Sequence, residues 1–462
     1  MLCAHCGTEC HSDFKFCRSC GADLTAPGAT REAAASAPPP VVLQAAPPPA
    51  IPYAPPPVAA YAPPPPGAYP PPAWPGAAPA AYPGYPQAVY YAAPQAAAQA
   101  HHMQQTLMHN LRGRIQSLAS TEELEGFSLK DMFSEVFKRR SANELEDYIL
   151  VGTDRTTPPL EVVETGWPKP WLFFRLLAAL ILAYAGLTAL FMGTGNTNCV
   201  PGMMFLGSFA VPIATLVLFF ELNTPRNVSL HVVGKLFLMG AVISLAVALL
   251  GYAIPIFQVS EMEAGIVEEV AKLLTVVLVM RSFRYKYILN GILFGATVGA
   301  GFAAFETAGY ALNQGFLAGL IPGVVQGGGL SAAAMQSGVS QMLSILLLRG
   351  ILAPLGHVAW TAISAGAFWR VKGDKPFAVS MLFDHRFLRA FLIPVALHAI
   401  WDAPVQLPFF GNDILTGLVT WYVVFGLVQQ GLHQVKDEQQ AHLQSTLATV
   451  EATLQVTGVA TA

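Results

Sequence analysis

The stretch 171–193, WLFFRLLAALILAYAGLTALFMG, decides the fold. It carries one charge, Arg175, and is long enough to cross a hydrocarbon layer as a helix, which takes about 20 apolar residues. Working outward from it, comparable runs recur at 202–222, 233–254, 264–281, 288–312, 341–369, 387–405 and 413–433. The run at 341–369 is too long for one simple span and holds Arg349 and Pro354, so it reads as a broken or re-entrant helix followed by a span. The expected fold is therefore an all-α polytopic membrane protein of about eight transmembrane helices. Composition agrees: 53% of the 462 residues are hydrophobic and only 11% charged, against roughly 25% charged in a soluble domain.

Loop charge orients the spans. Arg226 and Lys235 flank the second and third. Arg281, Arg284 and Lys286 lie between the fourth and fifth, and Arg370, Lys372, Lys375, Arg386 and Arg389 between the sixth and seventh. The alternate loops, 193–201, 314–329 and 408–412, are nearly bare, and the loop before the fourth span carries acid only, Glu261 and Glu263. One arrangement satisfies all of this: a multi-pass protein of the cell (inner) membrane with both termini in the cytosol. The 25 Lys+Arg against 28 Asp+Glu leave no basic excess for nucleic-acid binding.

Residues 1–170 have a different composition. Five of the six Cys fall in the first twenty residues. Cys3-x2-Cys6 and Cys17-x2-Cys20 are each followed by Gly, at Gly7 and Gly21. Two such knuckles can close four thiolates around a structural Zn2+, and reduced cytosolic thiols favour metal over disulfide. Residues 1–24 are thus expected to form a zinc ribbon, with no open coordination position for catalysis. Residues 25–104 hold 23 of the 37 Pro and 7 of the 14 Tyr, the composition of a disordered, polyproline-type linker. Ribbon and Pro-rich arm together suit a cytosolic protein partner. Residues 105–170 read as a soluble helical segment, with Ser120 and Glu123 spaced as a capping box. Residues 171–435 form the membrane domain, and 436–462 a cytosolic tail.

Ionisable residues inside the spans are costly, on the order of 3 kcal/mol each at mid-bilayer. The fourth span contains Glu268-Glu269-Val-Ala-Lys272, in which Lys272 can reach either carboxylate at i+4 or i+3. The fifth carries Gly291, Gly295 and Gly299, a smooth stripe for close helix contact. Glu306 continues that stripe and so should face a neighbouring helix. His357 follows in the sixth region. The seventh span ends in His398-Ala-Ile-Trp401-Asp402, with His398 and Asp402 one turn apart. On the expected topology all these groups share the outer half of the bilayer, which implies one polar, water-containing cavity.

These segments resemble the PrsW family of intramembrane proteases, related to the CAAX-protease and ABI superfamily. The pieces that carry the likeness are Glu268-Glu269-Val-Ala-Lys272, Phe302-Ala-Ala-Phe305-Glu306, His357, and His398-Ala-Ile-Trp401-Asp402. Thr307 departs from the pattern, where Asn is expected after the glutamate. The resemblance implies cleavage of a membrane protein substrate, such as a membrane-bound regulator, in or beside its membrane segment, with the lipid bilayer as the setting. It implies a catalytic set of Glu268, Glu269, Lys272, Glu306, His357, His398 and Asp402. Glu268 or Glu269 would take a proton from water, and His357 and His398 would stabilise the oxyanion or ligate a metal. Asp402 would orient His398, Lys272 would tune the glutamates, and Glu306 would be a third carboxylate of the site. The chain has no HExxH helix, and participation of a catalytic metal stays open at this level. Two other classes compete: a catalytically inactive receptor or scaffold using the same fold, and a proton-coupled transporter, for which intramembrane acids and histidines are also a mark.

Overall fold

The computed structural model describes residues 2–3, 30–31, 105, 108–122, 124–257, 260–280, 285–327, 331–404 and 407–457. The chain divides into two compact units, 1–85 and 86–462. In the first, Leu2–Cys3 pairs antiparallel with Thr30–Arg31. The expected ligands Cys6, Cys17 and Cys20, and nearly all of the Pro-rich stretch, lie outside the described residues.

The second unit is helical. It opens with α1 (108–119), α2 (Leu129–Met132) and α3 (Ala142–Ile149). The bundle proper is α4 (Leu172–Thr194), α5 (Cys199–Leu222), α6 (Leu230–Tyr252) and α7 (Ala264–Val279), then α8 (Ile288–Tyr310), α9 (Ala318–Gly327) and α10 (Ala332–Leu352), and finally α11 (His357–Lys372), α12 (His385–Trp401) and α13 (Gly411–Thr457). The capping box near the start forms at Ser141 and Glu144 rather than at Ser120. Ser120 has a φ of 50° and ends α1, where its carbonyl accepts from Arg370 and Gln430. Glu123 lies outside the described residues.

Among the described residues, six helical stretches are long and apolar enough to cross a membrane: Leu172–Thr194, Cys199–Leu222, Leu230–Tyr252, Ile288–Ile321, Ala333–Lys372 and Gly411–Thr453. The fourth and seventh expected spans are α7 and α12, of 16 and 17 residues, or about 24–26 Å of helix against a hydrocarbon layer of about 30 Å. Both are short because their chain is used for charge: α7 begins just before its two glutamates, and α12 stops at His398 and Asp402. The long sixth region is broken, as its length and Pro354 suggest. A 3-10 turn over Ala353–Leu355 separates α10 from α11.

A second difference concerns 314–329, expected as a bare loop. Here the helix continues from α8 through a π-helical segment, Ala311–Leu317, into α9, which returns along α10 as a hairpin. Gly315 and Gly319 make the return close. A Cβ at Gly315 would lie 2.7 Å from the Cα of Met342, and one at Gly319 would lie 2.9 Å from the Cα of Gly338. The hairpin packs on its own small apolar cluster, in which Ala311, Val339, Met342 and Leu346 meet Phe191, Cys199, Val200 and Met203.

At the centre stands α8, buried on every side from Ile288 to Ala304. Its glycines bring α11 to backbone contact: a Cβ at Gly295 would sit 2.1 Å from the Thr361 carbonyl oxygen, and one at Gly299 would sit 2.4 Å from that of His357. On the opposite side Gly301 admits the Phe237 carbonyl of α6. At the Ile288 end a buried amide cluster pins three elements, Asn290 Nδ2 donating to Asn223 (2.9 Å) and Asn227 (2.6 Å). Glu221, buried at the end of α5, accepts from the backbone N–H groups of Trp171 (2.7 Å), Leu172 (2.9 Å) and Phe173 (2.8 Å). It thereby satisfies the orphan donors at the start of α4.

Gly295→Ala is expected to destabilise the bundle by about 2–3 kcal/mol, because the obstacle is backbone that cannot swing aside. Gly309, with nothing within 4 Å of its Cβ position, is the control: Gly309→Ala should be neutral or stabilising by up to about 1 kcal/mol. Unfolding in mixed micelles, read by circular dichroism, separates the two.

Candidate active site

The seven ionisable groups singled out in the sequence are brought together where α7, α8, α11 and α12 meet. Helical periodicity does the local work. Glu268, Glu269 and Lys272 project from one buried face of α7, His357 is the first residue of α11, and His398 and Asp402 share a face at the end of α12. The close approach at Gly299 holds the first turn of α11, and so His357, against α8. A cavity of about 1040 Å³ opens beside them, lined among others by Tyr252, Glu268, Glu306, His357, His398 and Asp402. Such a volume is at the upper end for ligand-binding clefts.

Lys272 is fully buried. Its Nζ is 2.7 Å from Glu269 Oε1 and 3.5 Å from Glu268 Oε2, and it donates to His357 Nδ1 at 2.9 Å. It also lies 4.5 Å from the centroid of the Phe302 ring. The two glutamates differ. Glu268 faces the cavity, where Tyr252 Oη donates to its Oε1 at 2.9 Å. Glu269 is fully buried behind it, and its Oε2 has no hydrogen-bond partner among the described residues.

Each histidine turns one nitrogen toward Glu268 and the other toward a second carboxylate. His357 Nδ1 is 3.9 Å from Glu268 Oε2, and its Nε2 donates to Glu306 Oε2 at 3.0 Å. His398 Nε2 is 3.7 Å from Glu268 Oε2 and 3.2 Å from Asp402 Oδ2, and its Nδ1 donates to Glu269 Oε1 at 3.1 Å. The orientation of His398 expected from Asp402 alone is thus shared with Glu269. Trp360 stacks on the His398 ring at 4.6 Å between centroids.

Three groups of the cluster carried no expected role. Tyr252 gave no sequence signal, lying at the end of an ordinary apolar run. Trp360 was visible beside His357 but its ring packing was not. Arg349 had a signal, a charge inside an apolar run; it reaches across from α10 to bind Glu306, donates from Nε to Thr307 Oγ1 at 3.0 Å, and lies over Tyr310. Thr307, the departure noted in the motif, therefore holds the arginine that holds Glu306.

Glu268, His357 and His398 each offer a ligand atom, all within 4.8 Å of one another, the one such trio among the described residues. One carboxylate and two imidazoles are the donor set of several catalytic zinc sites. The carboxylates behind the imidazoles, Glu306 and Glu269, are the kind of support that metal-binding histidines use. The residues present fit a metal by donor type and spacing, and the His357 Nδ1 lone pair that would face it also accepts from Lys272 Nζ.

Apolar helices enclosing a carboxylate–histidine centre at a cavity point to a multi-pass membrane protein whose Glu and His residues could form a catalytic site. The family model described as PrsW family intramembrane metalloprotease matches residues 228–428, which form a domain of that family and contain all seven gathered residues. Membership in such a domain implies a peptidase acting on a membrane protein within the bilayer. Neither curated proteins nor solved structures give a match.

Removing the central cation tests the electrostatics. Lys272→Met should destabilise the protein by about 3–5 kcal/mol, since it leaves buried carboxylate charge uncompensated. Adding Glu269→Gln in the same chain should recover part of that loss. Unfolding midpoints of the two variants and the parent read the difference.

Proposed function

We propose that the chain is an intramembrane endopeptidase. It hydrolyses a peptide bond in or beside the membrane segment of a membrane-bound regulatory protein. The observation that carries this reading is the pair of histidines, each turned toward Glu268 on one side and backed by a second carboxylate on the other. Eight membrane-embedded helices, counting the short α7 and α12, with both termini in the cytosol of a cell (inner) membrane, fit the loop charges and put the cavity toward the outer face.

Amide hydrolysis needs an activated water, stabilisation of the oxyanion, and a proton for the leaving amine. Glu268, His357 and His398 would hold the metal, which supplies Lewis-acid activation of water and of the scissile carbonyl. Glu269 and Glu306 act from behind, fixing which nitrogen of each ring faces Glu268. Lys272 pairs with both glutamates and adds positive potential where negative charge develops. Asp402 and Glu306 both line the cavity next to a histidine, so both are within reach of a proton released there. The Tyr252 hydroxyl holds Glu268 in one rotamer. An N-terminal zinc ribbon, holding Zn2+ through Cys3, Cys6, Cys17 and Cys20, and the Pro-rich arm behind it would recruit a cytosolic protein partner.

The chemistry is tested by mass spectrometry of membrane and released peptides from cells producing the intact chain or a variant at equal level. Glu268→Gln and His398→Ala should each remove the fragments, a drop of at least about 100-fold. Peptide maps identical to the intact chain's would overturn the protease reading. Metal content, measured in a full-length chain with the four ribbon cysteines changed to Ser, assigns Glu268. Loss of the ion with Glu268→Gln makes it a ligand; an inactive variant that keeps the ion makes it the general base.

A further inference from the structure

Arg349 belongs to none of the motif helices, yet it ends a continuous chain of polar contacts that enters the site. Its guanidinium binds Glu306, and Glu306 Oε2 accepts from His357 Nε2 at 3.0 Å. His357 Nδ1, the other nitrogen of the ring, is the atom 3.9 Å from Glu268 Oε2. Two further contacts fix the guanidinium itself, the hydrogen bond to Thr307 Oγ1 and the Tyr310 ring 4.5 Å away. Both Thr307 and Tyr310 sit on α8 within one turn of Glu306. The arginine therefore grips the end of α8 at three points.

We infer that Arg349 is a positioning residue for His357, acting through Glu306, and that this deepens the protease reading above. The physical argument concerns a tautomer. Neutral imidazole carries one N–H, and the partner that accepts that hydrogen bond selects the nitrogen that bears it. Glu306 selects Nε2 as donor only while its carboxylate points at His357. Without Arg349 that carboxylate has no other cation at hydrogen-bond distance among the described residues, and it is free to rotate into the cavity it lines. His357 would then be held in that tautomer from one side only, by Lys272 donating to its Nδ1, with no acceptor fixing the Nε2–H. A lysine cannot replace the arginine fully, because one ammonium does not span Glu306 and Thr307 as a planar fork does.

The arginine also ties the site to a separately packed element. Arg349 lies near the end of α10, whose apolar contacts are with the hairpin cluster rather than with the main core. Leu348, Arg349 and Leu352 of α10 form the cavity wall that faces the histidines. The orientation of His357 is therefore coupled to the seating of that wall.

The test uses the full-length chain with Cys3, Cys6, Cys17 and Cys20 changed to Ser, in nanodiscs, as parent, Arg349→Met, Arg349→Lys, Glu306→Gln and the Arg349→Met/Glu306→Gln double variant. Zn2+ affinity is measured by competition with a chromophoric chelator. In parallel, the 15N imidazole spectrum is recorded, with His357 assigned through His357→Gln. Arg349→Met and Glu306→Gln should each weaken Zn2+ by about 10–100-fold, the range for residues that orient a ligand. The double variant should be no weaker than either single change, and Arg349→Lys should fall between. The Nε2–H signal of His357 should diminish in Arg349→Met. A merely structural arginine would lower the unfolding temperature and leave both the affinity and the imidazole spectrum of the folded protein unchanged, which would overturn the inference, as would additive losses in the double variant. A parent chain that binds no Zn2+ would count against the metal reading alone, and the imidazole spectra of parent and Arg349→Met would then decide the role of Arg349.

Discussion

A lysine with no exposed surface sits among two glutamates and a histidine, and much of the rest of the bundle is arranged so that this is tolerable. Removing an ammonium and two carboxylates from water costs several kcal/mol per ion, even after relaxation, and only good geometry offsets it. The geometry comes from four helices at once. Glu268, Glu269 and Lys272 share α7, so their spacing is set by the helix itself. The histidines arrive from α11 and α12, and α8 supplies Glu306. A displacement of about 1 Å of any of these helices would convert paired charge into unpaired charge, in surroundings where unpaired charge is most costly.

Backbone proximity does much of the work of holding those helices, alongside the aromatic core of Phe294, Phe368, Trp369 and Phe387. Association within lipid has little hydrophobic drive, so close van der Waals contact and interhelical hydrogen bonds carry it. Gly291, Gly295 and Gly299 let α11 lie directly on α8, and Gly265 lets α12 lie on α7, where a Cβ would come 2.7 Å from the Val395 carbonyl oxygen. Far from the site, at the other end of α11, Arg370 donates to the carbonyls of Ala119 and Ser120, and Gln439 on α13 donates to those of Leu160 and Val163. The segment before the first span is therefore packed onto the bundle: Ala119, Met132 and Val163 belong to its main core. The linker-to-membrane region is part of the framework that fixes α11, and not only a tether.

The sequence made the spans legible because twenty apolar residues in a row have few other meanings, and it made the charge cluster legible because ions are rare there. The Gly291–Gly295–Gly299 stripe led correctly to a neighbour for Glu306. Less legible were features without a local signature. The hairpin of α9 and α10 follows a Gly- and Gln-containing stretch that reads as loop, and its seating, with Ala311 and α10 against Phe191, Cys199 and Met203, is a tertiary fact. The division of labour between Glu268 and Glu269 is invisible in a doublet. It depends on which side of α7 the cavity opens, a tertiary fact. Arg349 stood out as a charge, but its partner lies 43 positions away on another helix, and no spacing rule connects them. The shortness of α7 and α12 was hidden by apolar neighbours that extend the runs on paper.

The buried charges also bear on the choice between an enzyme and an idle scaffold. If the fold only needed to cohere, apolar residues of similar volume at 268, 269 and 272 would serve as well or better, since replacing a buried ion pair by well-packed apolar groups is often neutral or stabilising. A proton path would need polar groups continuing to the far side of the membrane. Past Lys272 and Thr275, α7 is apolar through Val279, and the buried stretch of α11 from Val358 to Trp369 is apolar apart from Thr361 and Ser364, whose hydroxyls are spent on carbonyls one turn back in their own helix. The polar network is a pocket open on one side, ending in apolar helix on the other. That shape suits admitting water from one side to a fixed site.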